Sequence, residues 1–518
     1  MKSFFQTWKV DLPSGLVVFL VALPLCLGIG LASTTIDNIA GLPNIFAGLI
    51  AGIVGGIVVG FISKSNLGVS GPAAGLITIV ITSILTLGSY QAFLVAVIIS
   101  GIIQVIASYL KAGIIAGYIP SSVIKGMLAA IGITLILKEI PHLVGYDADF
   151  IGDESFVQKD GHNTITELFY SLKGLQKGSL IIGFISLILL LIFDLNIIKS
   201  NKYFKNIPGA LVVVITSVLI NNLFISQFPQ ITVSDKHLVQ IPVISSLDKI
   251  GSLIVFPDFS FLTNHKIYMI AFTLAIVGSL ETLLSVEATD KLDPDKNLTP
   301  TNRELFAQGI GNIVSGFIGG LPITQVIVRS SANINSGAKS KLSTIVHGLL
   351  LVITILYIPN LLNQIPLAAL GAILIMVGYK LAKISLFKEM YRLGNNQFLP
   401  FITTIVGVLF TDLLKGICIG LVVSIFFILR RNFKNNFSIN NTDEKITHIE
   451  LSEEVTFLNK VGLQEILTNT PKNSTLIIDG TNCKNIDYDV KELLHEFSNY
   501  GAKNRSINLK LINITLSK

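Results

Sequence analysis

Arg329, Glu281 and Ser285 are the side chains on which chemistry could turn, because each sits in or beside a run of residues that is otherwise apolar or small. Glu281 falls in the run 270–285, and Ser285 follows it by four residues, one turn further along the same helical face. A charge at membrane depth is expensive and usually faces a cavity or a partner. Glu281 is therefore expected to face a cavity, a cation or Arg329, and to take up a proton or a cation at some stage of a cycle. A static ion pair with Arg329 is the competing reading. Ser285 either helps to bind that cation or bonds its own helix.

Arg329 follows Gly319-Gly320-Leu321-Pro322. Two glycines and a proline stop a helix, and a short apolar segment, 323–334, begins just after them. The proline is expected in the first turn of the new helix, where its missing N–H costs nothing. The first-turn amides then point back toward the break, an arrangement that suits an anion. Arg329 is expected about two turns along, with Thr324 and Gln325 at the N-terminal end offering side-chain hydrogen bonds to the anion.

Gly71-Pro72-Ala73-Ala74-Gly75 makes a similar break and opens the run 72–87. Two short, Gly/Pro-interrupted segments at matched positions point to a transporter binding site near the membrane midplane. A pair of ordinary kinked helices is the alternative, but it explains neither the matching nor Arg329. Leu23-Pro24-Leu25-Cys26-Leu27-Gly28-Ile29-Gly30 predicts a kinked or unwound first helix, either near the same cavity or as a simple packing kink. Glu287 and Asp290 read as interfacial charges, and Lys125 as a residue snorkelling to the cytoplasmic face. No phosphate-binding loop and no His/Cys metal spacing is present. The histidines are scattered and read as ordinary residues. These absences predict no catalytic residue, no cofactor and no assignable metal site, so the chain is not expected to be an enzyme.

The elements that must position these residues are membrane helices. The chain of 518 residues is 51% hydrophobic and only 14% charged, with a mean hydropathy of +0.70; a soluble protein is about 25% charged. The formal charge of +6 reads as cytoplasmic-loop lysine rather than a nucleic-acid surface. Cys26, Cys418 and Cys483 are far apart and suggest no disulfide framework. Fourteen apolar segments stand out: 13–33, 44–62, 72–87, 91–110, 117–138, 179–197, 208–226, 267–288, 304–318, 323–334, 342–359, 366–382, 398–413 and 415–430. Several are shorter than the roughly 20 residues of a full span. With both termini cytoplasmic, basic residues such as Lys9, Lys64, Lys111, Lys202, Arg303, Lys341, Lys388 and Arg430 fall on the inside, as the positive-inside rule requires. Two longer loops lie outside. The loop 139–178, with Asp147, Asp149, Asp153, Glu154 and Asp160, reads as solvated and acidic, and 227–266 as carrying amphipathic surface helices. Fourteen spans divide as seven plus seven, and an odd number per half inverts the second repeat.

After Arg431 the character changes. The expected division is a transmembrane domain, 1–431, a linker, 432–445, and a soluble α/β domain, 446–518. Strands are predicted at 446–451, 474–478 and 507–514, and helices at 461–467 and 490–499. About 70 residues is small for independent stability, which predicts contact with the membrane part or a partner subunit.

The residues now resemble a known family. Asp11-Leu12-Pro13-Ser14-Gly15, Val21-Ala22-Leu23-Pro24, Ser70-Gly71-Pro72, Asn302-Arg303-Glu304-Leu305, Gln308-Gly309-Ile310-Gly311-Asn312 and Gly319-Gly320-Leu321-Pro322 with Arg329 are similar to motifs of the SulP inorganic anion transporters. The tail resembles their STAS domain. The resemblance implies a polytopic α-helical fold of fourteen spans in 7+7 inverted repeats, with the anion between the third and tenth helices and a core domain moving against a gate. It implies a homodimer. Glu281 falls at the family's acidic coupling position, and Ser285 where sodium-coupled bicarbonate members have a hydroxyl ligand. Ala73, Ala74, Gly75, Gln325, Val326 and Ile327 fall at the helix ends lining the anion site. Ile327 replaces a threonine of the sodium-coupled members, and Leu25 a glutamine common in sulfate-transporting members. Thr481 matches a phosphorylatable hydroxyl of anti-sigma-antagonist STAS proteins, and is read here as a turn residue.

The expected function is cation-coupled symport of bicarbonate or sulfate by alternating access across the inner or plasma membrane, with sodium or a proton as the coupling ion. A nucleobase-type permease of the same fold is one alternative; Arg329 and the missing base-binding carboxylate pair argue against it. An anion channel, or a sensor whose STAS tail binds a partner protein, is another. No nucleic-acid partner is expected.

Overall fold

The computed structural model describes residues 4–34, 46–148, 156, 163–195, 197–198, 207–240, 254–434, 437–443 and 446–515. They form two compact units, Met1–Leu421 and Val422–Lys518.

The first unit is helical. Its first half holds α1 (Phe4–Thr34), α2 (Phe46–Ile62), the short strand β1 (Ser70–Pro72), α3 (Ala74–Leu87), α4 (Tyr90–Tyr109), α5 (Ser121–Val144), α6 (Thr164–Lys173), α7 (Lys177–Asp194) and α8 (Gly209–Gln227). Its second half holds α9 (His265–Leu292), α10 (Thr301–Phe317), β2 (Ile323–Gln325), α11 (Ile327–Asn335), α12 (Leu342–Tyr357), α13 (Leu367–Leu381), α14 (Ile384–Arg392), α15 (Asn395–Phe410) and α16 (Leu413–Lys434), which runs on into the second unit. Each of the fourteen apolar segments contains a helix, although 72–87 and 323–334 begin in the strands β1 and β2. Among the described residues, 7 helices are long and apolar enough to cross a membrane, or up to 8 if the pair bent by 88° before α5 counts as one span. Local signals set the ends. Gly88 closes α3 in the left-handed conformation at φ 66°, and the Ser89 side chain caps α4 by accepting from the Ala92 amide.

Several expectations need correction. α1 passes through Pro24 as one helix, not unwound. Lys125 does not simply snorkel: its Nζ lies 2.7 Å from Glu389 Oε1 and ties α5 to α14. Asp147 is not solvated. Its carboxylate is clasped by His142, at 2.5 Å, and by His237, so these two histidines, read as ordinary residues, form a cluster with it. Asp149, Asp153, Glu154 and Asp160 lie outside the described residues. The described parts of 227–266 hold only single 3-10 turns and the start of α9, not amphipathic α-helices.

The second unit has a four-stranded sheet ordered β3 (Phe437–Asp443), β4 (Ile446–Leu451), β6 (Thr475–Asp479), β8 (Asn508–Ile512), with a small pair β5 (Glu454–Val455) and β7 (Asn485–Ile486) beside it. The helices α17 (Lys460–Asn469) and α18 (Tyr488–Glu496) supply Leu463, Leu467, Val490 and Leu494 to a core with Ile449, Leu476 and Ile478. The parallel strands are buried by their crossover helices. The predicted linker is largely a strand: β3 pairs antiparallel with β4 along one edge, despite its asparagine-rich sequence. Thr481 donates to Asp479 Oδ1 at 2.5 Å and accepts from Asn513 at 3.0 Å, the work of a turn residue.

Candidate functional site

The two glycine–proline breaks meet in space. β1 pairs antiparallel with β2, Ser70 against Gln325, Gly71 against Thr324 and Pro72 against Ile323. Each short strand leads into a short helix, β1 into α3 and β2 into α11. Pro72 and Pro322 are therefore not first-turn residues: Pro72 closes β1, Pro322 precedes β2, and the helices begin at Ala74 and Ile327. Cross-pairing in the protein interior gives the extended segments hydrogen-bond partners that a helix start would not. Arg329 is accordingly the third residue of α11, in its first turn rather than two turns along.

α11 is anchored to the chain before β1. The Val326 amide donates to Val69 O at 2.9 Å, the Val69 amide to Ser330 Oγ at 3.0 Å, and Asn333 Nδ2 to Leu67 O at 3.0 Å. Arg329 is fully buried. Its Nη2 donates to Pro72 O at 3.3 Å, while Nε and Nη1 find no hydrogen-bond partner among the described residues. The guanidinium lies against Gly71, where an added Cβ would fall 1.8 Å from Nη1. Glycine is the residue that allows this approach.

In front of these helix ends lies a cavity of about 30 Å³, room for roughly two waters. Its lining joins Pro72, Ala74, Val326 and Arg329 from the breaks, Glu281 and Ser285 from α9, and Leu25 and Ile29 from α1. Ile131 and Leu135 of α5, Val328 of α11 and Leu413 of α16 close it, and no sequence signal marked them, since their spacing is that of any packed helix face. Ile327, read as a departure from the threonine, also lines it. Gly75 stands beside the Glu281 carboxylate, 3.4 Å from Oε1 measured from an added Cβ. Ala73 is buried between these residues and does not line the cavity.

Thr324 and Gln325 are not at a helix end. Both belong to β2 and are fully buried outside the lining. Gln325 Nε2 donates to Thr289 Oγ1 at 3.0 Å, and its amide to Thr282 Oγ1 at 3.3 Å. Gln325 thus locks β2 to α9, the helix that carries Glu281. The cavity combines one cation, one carboxylate, one hydroxyl and the amide ends of two helices, whose first-turn N–H groups lack intrahelical acceptors. Such a site offers a small anion one cation and two sets of backbone donors, and sets a carboxylate and a hydroxyl beside them.

Comparison with known proteins agrees. The sequence profile of the sulfate permease family matches residues 8–404. YvdB of Bacillus subtilis, which carries the name of a sulfate transporter, is 28% identical over 82% of this chain and 74% of its own length. The bicarbonate transporter BicA of Picosynechococcus is 27% identical over 82% of this chain and 70% of its own. Murine Solute Carrier 26 family member A9, an anion transporter solved in the inward-facing state, superposes with a TM-score of 0.66 over 99% of this chain and 86% of its own, at 18% identity, a likeness of fold.

Proposed function

The chain belongs to the sulfate permease family, and from that premise we propose that it carries bicarbonate, in symport with a cation, by alternating access. It is an integral membrane transporter of small inorganic anions, not an enzyme. The observation that carries the proposal is the placing of Arg329 and Glu281 in one cavity between two broken-helix ends.

Charge counting favours bicarbonate over sulfate. Arg329 and Glu281 together are neutral. A univalent anion with one coupling cation keeps the site neutral, whereas sulfate with one cation leaves a net negative charge in a low-dielectric setting. The apolar Leu25 adds no donor for a second charge. A nucleobase is disfavoured on chemistry, since the lining offers one carboxylate, Glu281, and not a base-binding pair.

The anion is held by Arg329 and by the backbone ends at Ala74 and Val326, with Ala73 and Gly75 packed behind them as small residues. Glu281 and Ser285 take the coupling ion. A proton suits this pair better than sodium, because the hydrocarbon of Ile327 occupies the place of a further oxygen. The fourteen helical segments and the antiparallel meeting of β1 and β2 support fourteen spans in two inverted repeats of seven, with both termini cytoplasmic in the inner or plasma membrane. The mixed sheet of the second unit supports a STAS domain. A homodimer, and a protein partner for the STAS part, belong to the same reading.

The test is uptake of labelled bicarbonate and labelled sulfate into proteoliposomes, with proton and sodium gradients imposed separately. Bicarbonate should accumulate faster and further with the proton gradient than in protein-free liposomes, where labelled CO2 crosses the bilayer unaided. Equilibration without accumulation would make the protein a channel, and sulfate accumulation alone would overturn the charge argument.

A further inference from the structure

Glu304, Gln308, Asn312 and Ser315 of α10 recur at helical spacing, so they share one face, and none is more than 2% exposed. The face is polar, and it is turned to the strand pair. Ser315 Oγ donates to Leu321 O at 2.7 Å. Gln308 Nε2 donates to Ser70 Oγ at 2.6 Å and to Glu304 Oε1 at 2.9 Å, and Glu304 accepts in turn from Ser63.

Asn312 makes the most specific of these contacts. The Ile323 amide donates to its Oδ1 at 2.6 Å, and its Nδ2 donates to Ile323 O at 3.1 Å. In an extended strand the N–H and C=O of one residue point to the same edge. Those of Ile323 point away from β1, at a fully buried position where orphaned backbone groups would be costly. The Asn312 amide pairs both, so β2 has β1 along one edge and a side chain acting as a one-residue strand along the other. Gln104 Oε1 on α4 accepts from the same Nδ2 at 2.8 Å and fixes the way the amide faces.

We infer that Asn312 is a positioning residue of the anion site, oriented by Gln104, which sets the place of β2 and through it the first turn of α11 that carries Arg329. The inference rests on the anion-carrier reading. Asn312 lies outside the cavity lining. Its loss should let β2 shift, so that Arg329 and the first-turn amides no longer converge. The affinity for anion then falls, while the conformational cycle, which does not use this amide, continues.

The test is the concentration dependence of anion uptake by the full-length protein in proteoliposomes, with labelled bicarbonate and sulfate. Asn312→Leu, which loses both contacts to Ile323, should raise KM about tenfold with kcat within about twofold. Asn312→Asp keeps the acceptor for the Ile323 amide and should raise KM about threefold. Gln104→Met, one residue further back, should raise it about twofold. A wild-type KM in Asn312→Leu, or a loss confined to kcat, overturns the inference. If Asn312→Leu is not recovered as a monodisperse protein, the other two variants decide, and an unchanged KM in both overturns it. Wild-type protein that takes up neither anion defeats the carrier reading and this inference together. Wild-type uptake with unaltered variants defeats this inference alone.

Discussion

The two halves of the site share a backbone plan and differ in almost everything else. β1 leads into α3, an 11-residue helix after a 3-10 turn, carrying no charge and burying only Ile77, Val80, Ser83 and Ile84 along its regular part. Its threonines Thr82 and Thr86 bond back to carbonyls of their own helix. β2 leads into α11, of 9 residues, which buries Arg329, Ser330, Ser331 and Asn333 and is tied by side chains to the chain before β1. The first half thus contributes small residues and backbone that allow close approach, and the second contributes charge and anchoring. The break occurs twice, but only the helix after the second carries a buried cation.

The sharpest test of that division removes the charge. Arg329→Ala should lower uptake by about a hundredfold or more, since it removes the buried cation of the cavity lining. Expression and monodispersity should be retained, because the helix start remains anchored through Val326 and Ser330. Near-normal uptake by the purified variant would move the anion elsewhere and end the comparison.

Glu281→Gln comes next. A carboxylate beside an anion repels it until a proton or cation neutralises the carboxylate, so the two sites are reciprocally coupled. Glutamine imitates the neutral form and cannot change charge. Gradient-driven accumulation should fall at least about tenfold, to equilibration, while anion binding measured directly persists. Full accumulation by this variant would leave Glu281 as a fixed partner of Arg329.

Much of this was readable in the residues, and the failures have physical causes. The breaks at Gly71-Pro72 and Gly319-Gly320-Leu321-Pro322 announced themselves, because glycine and proline act locally. That the breaks would pair as strands was not readable, since three-residue strands carry no periodicity and their partners are some 250 positions apart. That Thr324 and Gln325 would lie in a strand and not at a helix end was hidden for the same reason: one extended residue more or less decides which way a side chain faces. The polar stripe of α10 was legible in principle, because its spacing is helical, yet in sequence it looked like motif residues rather than a face turned to β2. Asp147 failed differently. An aspartate in an acidic stretch reads as solvated, and its histidine partner His237 is 90 positions away.

The smaller predictions ask whether the glycines of the first half serve different masters. Gly71→Ala would place its Cβ 1.8 Å from Arg329 Nη1, the far end of a flexible side chain. The fold should survive by moving the guanidinium, and anion KM should rise about fivefold, within the range of an overpacking cost. The effect should vanish in an Arg329→Ala background, because the two residues are in contact and cannot act independently.

Gly75→Ala should have the smallest effect and fall on the other ligand. Its Cβ would meet the Glu281 carboxylate at 3.4–3.5 Å, close to ordinary contact, and no other atom is among its nearest neighbours. The residue sits at the exposed head of α3 with φ outside the left-handed region, so alanine brings no backbone strain. The methyl group takes solvent from one side of the carboxylate and leaves Arg329 untouched. The dependence of uptake on the coupling cation should therefore shift by about twofold, while anion KM at saturating cation stays as in the wild type. The measurement is a pair of titrations, cation at fixed anion and anion at fixed cation, run on Gly71→Ala and Gly75→Ala together. If Gly71→Ala moves the anion curve and Gly75→Ala the cation curve, one glycine-rich break serves both ions from neighbouring positions. If both variants move the anion curve alike, Glu281 lies within the anion's own binding sphere, and the assignment of charge to one half and close approach to the other has to be redrawn around a single shared ligand.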